Sequence, residues 1–327
     1  MKYLTIASIL FFLTFTDLFS QELIQKLDVS VNELEGFKFD QLCSDGENVF
    51  TLGNSTDGYF LFEFSRNSVK RKIEIPLGIP HSYKIFEKSI HVYTTMPSKI
   101  FIFNRKDNKL EKEFLVKSPL NMVLEHVFDS DESGNYWFYT TAPFSIPGKA
   151  NELKSTSVIF QGNIENAQNK EISRFKFSDD IDYLSVKKIG QKIYLLNRND
   201  SLLKSLDYGF LQKEQLIPIN KIKRSYIQPE KLSIDEIKKM TSQERSESMG
   251  YKYSDFVVIE DEIITLSSRI VASNEYHIIG GRINSKKDIY NSISLNGLNF
   301  DSEGKYFGHR VIANHIHFFK GMVKDLK

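Results

Sequence analysis

The chain repeats one pattern of hydrophobic and polar positions. An alternating apolar run, a tight polar turn, a second apolar run and a polar loop are followed by two more runs joined by a turn. Alternation with a period of two predicts β-strands, because successive side chains of a strand point to opposite faces of its sheet. In GYFLFEFSRNSVKRKIEIP, for example, Phe60, Phe62 and Phe64 share one face of a predicted half-buried hairpin. The pattern predicts units of four strands.

The second run of each unit is the clearest marker, and each one follows a turn. These runs are NVFTLG from residue 48, SIHVYTT from 89, NYWFYTT from 135, QKIYLLN from 191, EIITLSS from 262 and KYFGHRV from 305. Measured at residues 46, 89, 134, 190, 262 and 304, the spacings are 43, 45, 56, 72 and 42 residues. Three of the five spacings match a four-stranded propeller blade.

The two long spacings contain insertions. Polar, turn-rich loops at 142–153 and 162–170 account for the spacing of 56. The spacing of 72 contains the segment 229–249, where Ser233 and Glu236 match a capping box and apolar residues recur at helical spacing. We expect a short inserted helix there, with a solvated face or a docking role.

The two ends of the repeat complement each other. The sixth unit reaches its third strand in NHIHFFKG and then has too little chain for a confident fourth strand. The segment QELIQKLDVSV, 21–31, has the pattern of a strand but belongs to no unit. We expect it to supply the missing outer strand of the last blade, which would remove a free sheet edge.

The turn-plus-aromatic-strand units, such as DSDESGNYWFYT and SDGENVFTLG, resemble those of secreted bacterial six-bladed β-propeller proteins over roughly 21–327. The resemblance implies an all-β fold: one domain, a six-bladed β-propeller of four-stranded blades closed by the N-terminal strand. An irregular β-sandwich or two stacked β domains is the alternative. Such propellers include binding modules, assembly partners and metal-dependent hydrolases and lyases, so the fold implies no single activity.

Residues 1–20 predict a cleavable signal peptide, with Lys2 before an apolar stretch and Ser20 at the cut. The apolar stretch is shorter than the roughly 20 residues of a membrane span. Export with a single cysteine, and therefore no internal disulfide, indicates a periplasmic or extracellular protein with no transmembrane segment after cleavage.

The net charge of +1 disfavours nucleic acid as a partner. We expect a monomer.

A set of three arginine side chains is the strongest candidate for a binding site. Arg198, Arg269 and Arg310 lie near the ends of the second strands of units four, five and six, which converge on one mouth of the channel in a propeller. Three guanidinium groups there would bind carboxylates, sulfates or acidic sugars. His315 and His317 add two imidazoles on one face of a strand.

Two metal sites are conceivable, and neither is favoured. The histidine pair has no predicted third ligand. In DSDESGNYWFYT, Asp129, Asp131 and Ser133 match the first calcium-loop positions, but Thr140 stands where the bidentate Glu belongs. We interpret the acidic stretch as the turn of a blade hairpin and expect no metal and no cofactor.

The sequence identifies no catalytic set, because the common catalytic motifs are missing. We therefore expect a non-catalytic binding or scaffold module that recognises a protein, peptide or glycan at the channel mouth. The alternative is a hydrolase or lyase acting on an anionic glycan or small ester.

Overall fold

The fold is all-β, as the hydrophobic pattern predicts. The computed structural model describes residues 22–28, 34, 37–46, 48–65, 67–120, 123–142, 154–166, 168–177, 181, 184–197, 202–207, 213–218, 239, 241, 252–259, 262–271, 275–282, 295–301, 304–312 and 315–322. Its regular elements are 23 β-strands.

The strands form six sheets. Sheet I contains β2 (Lys38–Ser44), β3 (Asn48–Ser55), β4 (Gly58–Ser65) and β5 (Ser68–Glu74). Sheet II contains β6 (Ile79–Ile85), β7 (Ser89–Thr95), β8 (Lys99–Asn104) and β9 (Leu110–Leu115). Sheet III contains β10 (Leu124–Ser130), β11 (Asn135–Thr141), β12 (Thr156–Asn163) and β13 (Asn169–Lys176).

The other three sheets follow the same order along the chain. Sheet IV contains β14 (Leu184–Ile189), β15 (Lys192–Asn197), β16 (Leu202–Asp207) and β17 (Lys213–Pro218). Sheet V contains β18 (Lys252–Ile259), β19 (Glu262–Val271) and β20 (Glu275–Arg282). Sheet VI contains β1 (Glu22–Asp28), β23 (His315–Met322), β22 (Lys305–Ile312) and β21 (Asn296–Phe300), in that order.

The expectation of six four-stranded blades needs correction, because the described residues form five. Sheet V has three strands among the described residues. The four-strand pattern predicts a fourth strand in this unit as well, and the run DIYNSISL that would supply it lies outside the described residues except for Leu295, as does nearly all of the helix expected at 229–249. The second strands β3, β7, β11, β15, β19 and β22 all match the runs that mark the repeat.

The prediction for the N-terminal strand is confirmed. Strand β1 pairs antiparallel with β23, with Leu23 opposite Phe319 and Asp28 opposite His315. It is therefore the outer strand of sheet VI and hydrogen-bonds to an edge that would otherwise be free.

The chain divides into two compact units. One comprises Met1–Thr56, Phe62–Lys72 and Asn220–Lys327, and the other comprises Asp57–Leu61 and Ile73–Ile219. We call them the first unit and the second unit.

The core of the second unit lies between neighbouring sheets. Tyr136 and Phe138 on β11 pack in one apolar cluster with residues of sheet II, including Tyr93. Trp137, between them in sequence, packs in a second cluster with residues of sheet IV, including Leu195. The period-two alternation thus gives each face of sheet III its own partner.

The first unit is held by an aromatic cluster. The ring of Phe39 lies edge-on to Phe62 and Phe64, and Phe64 stacks on Phe318 with centroids 5.2 Å apart. The half-buried prediction for β4 is wrong, because Glu63 on its opposite face is also buried, with 3% of its side chain exposed. Its carboxylate pairs with Lys70 at 2.7 Å and Arg71 at 3.1 Å.

The acidic turns are built alike. Asp131 accepts a hydrogen bond from the backbone N–H of Asn135 at 2.9 Å, and Asp301 accepts one from Lys305 at 2.8 Å. Gly134 and Gly304 hold positive φ angles of 81° and 77° in the same turns, a conformation that glycine adopts without strain. The interpretation of DSDESGNYWFYT as a hairpin marker is therefore confirmed.

Candidate functional site

The first strands of sheets II, III and IV approach one another within the second unit, since β10 contacts both β6 and β14. Two of these strands are irregular. The register of β6 shifts at His81, and that of β10 shifts between Val127 and Asp129. Such β-bulges commonly redirect a side chain next to a binding or catalytic site.

His81 reaches from β6 to the backbone of β10. Its Nε2–H donates a hydrogen bond to the carbonyl oxygen of Val127 at 2.8 Å. This bond places the ring proton on Nε2 in the neutral imidazole and leaves Nδ1 as an acceptor. Nδ1 is buried and has no hydrogen-bond partner among the described residues. A buried acceptor left unsatisfied costs about 1–3 kcal/mol, so such an atom points to a ligand or a bound water.

His126 lies beside His81, with ring centroids 6.1 Å apart and nearly perpendicular planes. It stacks on Tyr139 at 4.9 Å, and its Nε2 lies 2.9 Å from Oγ1 of Thr141. The hydroxyl of Tyr139 donates to the carbonyl oxygen of Leu184 on the next sheet. Strands from three sheets thus fix one group of side chains, which we call the histidine site: His81, His126, Tyr139 and Thr141.

Both imidazoles are neutral at pH 7. Burial lowers the pKa of His81, although its hydrogen bond to Val127 opposes the shift. Burial lowers the pKa of His126 to about 4, and the neighbouring His81 acts in the same direction. The site therefore offers neutral hydrogen-bonding groups and no imidazolium charge.

A polar cluster occupies the opposite ends of the same first strands. Asp129 on β10 pairs with Nζ of Lys84 on β6 and with Nζ of Lys188 on β14. Beside it, Oγ of Ser130 lies 2.7 Å from Nδ1 of His91 and 2.8 Å from the hydroxyl of Tyr93. Asp129, which matches the first calcium-loop position, therefore forms ion pairs with two lysines.

The four residues predicted as a ligand site are only partly placed. Arg198 lies outside the described residues, and Arg269 lies on β19, opposite His277 on β20. Arg310 on β22 pairs in register with His317, and its guanidinium lies over the ring of Phe319, 5.6 Å from the centroid. His315 and His317 share a face of β23, with ring centroids 6.3 Å apart. The convergence of the three arginines stays a prediction.

His81 and His126 were not predicted to lie together, although the repeat relates their positions. Both occupy the third position of a first strand, and they are separated by the same 45 residues as Lys84 and Asp129. Aligning the first strands by the repeat puts the two histidines at equivalent positions of neighbouring sheets, but it does not show that their side chains meet. The bulge that turns His81 towards β10 is not visible in the sequence.

The fold defines the chain as a β-propeller protein of four-stranded blades. A candidate exported protein of Bacteroides fragilis is similar in structure, with a TM-score of 0.51 and 11% identity over 93% of this chain and 95% of that one. Regucalcin of Agrobacterium tumefaciens gives 0.46, with 11% identity and coverages of 86% and 89%. BamB of Moraxella catarrhalis gives 0.43, with 6% identity and coverages of 92% and 100%.

No protein-family model matches the chain, and no curated protein matches it. Within the described part of the chain, no helix is long and apolar enough to cross a membrane. The likeness to the Bacteroides fragilis protein supports the fold alone and leaves the function to the chemistry of the chain's own residues.

Proposed function

We propose that the chain is an exported β-propeller binding module that holds its ligand at the histidine site without transforming it. The buried, unpartnered Nδ1 of His81 is the observation that carries the proposal. A ligand N–H or O–H that donates to this atom would remove the free-energy penalty of an unsatisfied acceptor. The carbonyl of Val127 already fixes the tautomer, so little ordering is needed on binding.

The chemistry of the site favours binding over catalysis. Acid–base catalysts work best when their pKa lies near the operating pH, whereas the pKa of His126 is about 4. At pH 7 its basicity is too low to extract a proton efficiently. The hydrolase or lyase alternative would need a base of higher pKa.

The remaining parts of the proposal rest on the sequence. Residues 1–20 are removed on export, and residues 21–327 act as one domain in the periplasm or outside the cell. Arg198, Arg269, Arg310 and His315 form a separate candidate set that would bind an anionic group. The near-zero net charge supports the exclusion of nucleic acid.

The test compares the mature protein with two variants. His81→Phe removes the imidazole acceptor, and Arg310→Gln removes one guanidinium of the alternative set. Periplasmic extract and a glycan array are screened in parallel, and we expect Arg310→Gln to retain whichever molecules the wild-type protein retains, and His81→Phe to lose them. Circular dichroism and thermal melting establish that each variant is folded.

Two results would count against the proposal. If folded His81→Phe still retained the molecules, the histidine site would not be where they bind. Turnover of an ester or glycan that disappears in His81→Phe would make the protein an enzyme.

A further inference from the structure

Exposed apolar side chains gather at the end of sheet II nearest the histidine site. Leu77, Ile79 and Met96 are 49%, 40% and 59% exposed, and they are half of the large hydrophobic residues exposed in the described part of the chain. We call these three residues the apolar rim. Exposed clusters of large apolar side chains commonly mark interaction surfaces.

The rim residues come from two segments that pack directly together. Ile79 is opposite Thr95 in the register of β6 and β7, and Oγ1 of Thr95 donates to the carbonyl of Ile79. Between Leu77 and Ile79, a Cβ on Gly78 would lie 2.8 Å from Oγ1 of Thr94 and 3.1 Å from the carbonyl oxygen of Pro97. The segment 77–79 therefore lies against the turn that carries Met96.

The rim borders the histidine site on two sides. Ile79 lies two residues before His81 on β6. Two residues after Met96, Oγ of Ser98 donates to the carbonyl oxygen of Glu125 at 2.6 Å, next to His126. The apolar rim and the unpartnered Nδ1 of His81 thus flank the same stretch of β6 and β10.

The charges around this stretch disfavour an anionic ligand. Burial keeps the two imidazoles neutral. The carboxylate of Glu125 accepts hydrogen bonds from the backbone N–H and the hydroxyl of Ser118. A ligand would therefore meet a neutral acceptor, a satisfied carboxylate and aliphatic side chains.

Packing also disfavours a sugar stacked on an aromatic ring. His126 covers one face of Tyr139, and Phe128 packs at a tilt with a centroid distance of 6.1 Å. The large hydrophobic side chains exposed here, Leu77, Ile79 and Met96, are all non-aromatic, and methionine is the flexible, polarizable type of side chain that adapts to varied partners.

We infer that the ligand is an apolar protein segment that places aliphatic side chains on the rim and one N–H on Nδ1 of His81. This inference rests on the proposed binding function and names its ligand class. A peptide combines both features, because its backbone supplies N–H donors between side chains.

The experiment uses an array of acetylated and amidated hexapeptides, one half rich in Leu, Ile and Val and the other half rich in Ser and Asn, beside an array of neutral glycans. The folded mature protein is compared with Leu77→Ser, Met96→Ser, His81→Phe and Leu110→Ser. Leu110 is 42% exposed on β9, pairs with Phe103 at the opposite end of sheet II from the rim, and provides the matched control.

We expect retention on the aliphatic peptides, a loss of about tenfold with each rim variant and with His81→Phe, and no change with Leu110→Ser. No retention on aliphatic peptides would overturn the inference. Retention on neutral glycans that is lost in His81→Phe but unchanged in Leu77→Ser would also overturn it while leaving the binding function intact. Retention that does not depend on His81 would overturn both.

Discussion

Oδ1 of Asp129 lies 2.5 Å from Nζ of Lys84, although the two residues are 45 positions apart and belong to different sheets. Oδ2 of the same carboxylate lies 3.2 Å from Nζ of Lys188 on the following sheet. Only 12% of the Asp129 side chain is exposed, so its two ion pairs are poorly screened by water. One carboxylate thus ties the first strands of three successive sheets.

Replacing Asp129 by Ala should destabilise the protein. The change leaves Lys84 and Lys188 close together without their shared counter-ion. Because both lysines keep some exposure, we expect a loss of about 1–3 kcal/mol in the free energy of unfolding. Urea denaturation measures this loss. Asp107→Ala, which removes an exposed ion pair with Lys109, is the control and should change stability much less, because water screens exposed ion pairs. If Asp129→Ala and Asp107→Ala changed stability equally, the stabilising role of the two ion pairs of Asp129 would be contradicted.

Glu63→Ala should lower the free energy of unfolding more than Asp129→Ala does. Glu63 is almost fully buried and holds both Lys70 and Arg71. Removal of one side of a buried ion pair costs about 3–5 kcal/mol, and we expect the lower part of this range because Lys70 is 42% exposed. Guanidinium denaturation gives the measurement. Glu171→Ala removes an exposed pair with Arg174 and should be nearly neutral. A neutral Glu63→Ala would show that the carboxylate contributes nothing to folding.

Gly162→Ala should disrupt sheet III. A Cβ at this position would lie 2.4 Å from the Cζ atom of Tyr136, whose ring is fully buried, and would also overlap the side chain of Asn169. The hydrogen bond between Tyr136 and Asn169, 2.7 Å long, would have to break or move. We expect a loss of about 2–3 kcal/mol, the cost of overpacking plus a lost hydrogen bond. Gly190→Ala is the control, because a Cβ there meets nothing within 4 Å. It should cost only about 1 kcal/mol of backbone strain.

Stability should fall when the pH is lowered below 6.5. Burial lowers the pKa of His91 to about 4, helped by Lys84 and opposed by Asp131, and the pKa of His126 is also about 4. Between pH 6.5 and 4 the unfolded chain binds protons that the folded protein does not. Each histidine then removes up to about 1.4 kcal/mol of stability per pH unit.

Urea denaturation at pH 4.5, 5.5, 6.5 and 7.5 tests this pH dependence. The slope between pH 6.5 and 4.5 should be shallower in His91→Gln and in His126→Gln than in the wild-type protein. His317→Gln, which changes a half-buried imidazole of the first unit, is the comparison variant. Slopes that do not change in either of the first two variants would contradict the buried, neutral state of His91 and His126.

Deleting β1 should expose the edge of β23. A chain that begins at residue 30 lacks the whole pairing of β1 with β23, from Glu22 to Asp28. We expect a lower melting temperature and aggregation that increases with protein concentration, because an unpaired strand edge pairs with other chains. Light scattering and thermal melting measure both. A truncated chain that stays monomeric with an unchanged melting temperature would contradict the closing role of β1.

The sequence by itself determined the strands and their grouping. Side chains alternate with a period of two, and tight turns such as Asp131–Gly134 and Asp301–Gly304 need residues that the sequence displays directly. The same local signals showed that β1 lacked a unit and that the last unit lacked a strand. These features depend on neighbours in the chain, so a single sequence is sufficient to predict them.

Only the tertiary structure decided which side chains meet. The pairs His81 with His126 and Lys84 with Asp129 join first strands of different sheets. Likewise, the burial of Glu63 on the second face of β4 depends on packing around the strand. Contacts of this kind are set by how sheets pack and by the bulge at His81, which shifts one residue out of register. The hydrophobic pattern shows neither the packing between sheets nor the bulge. The sequence therefore predicted the blades, and the tertiary structure located the candidate site.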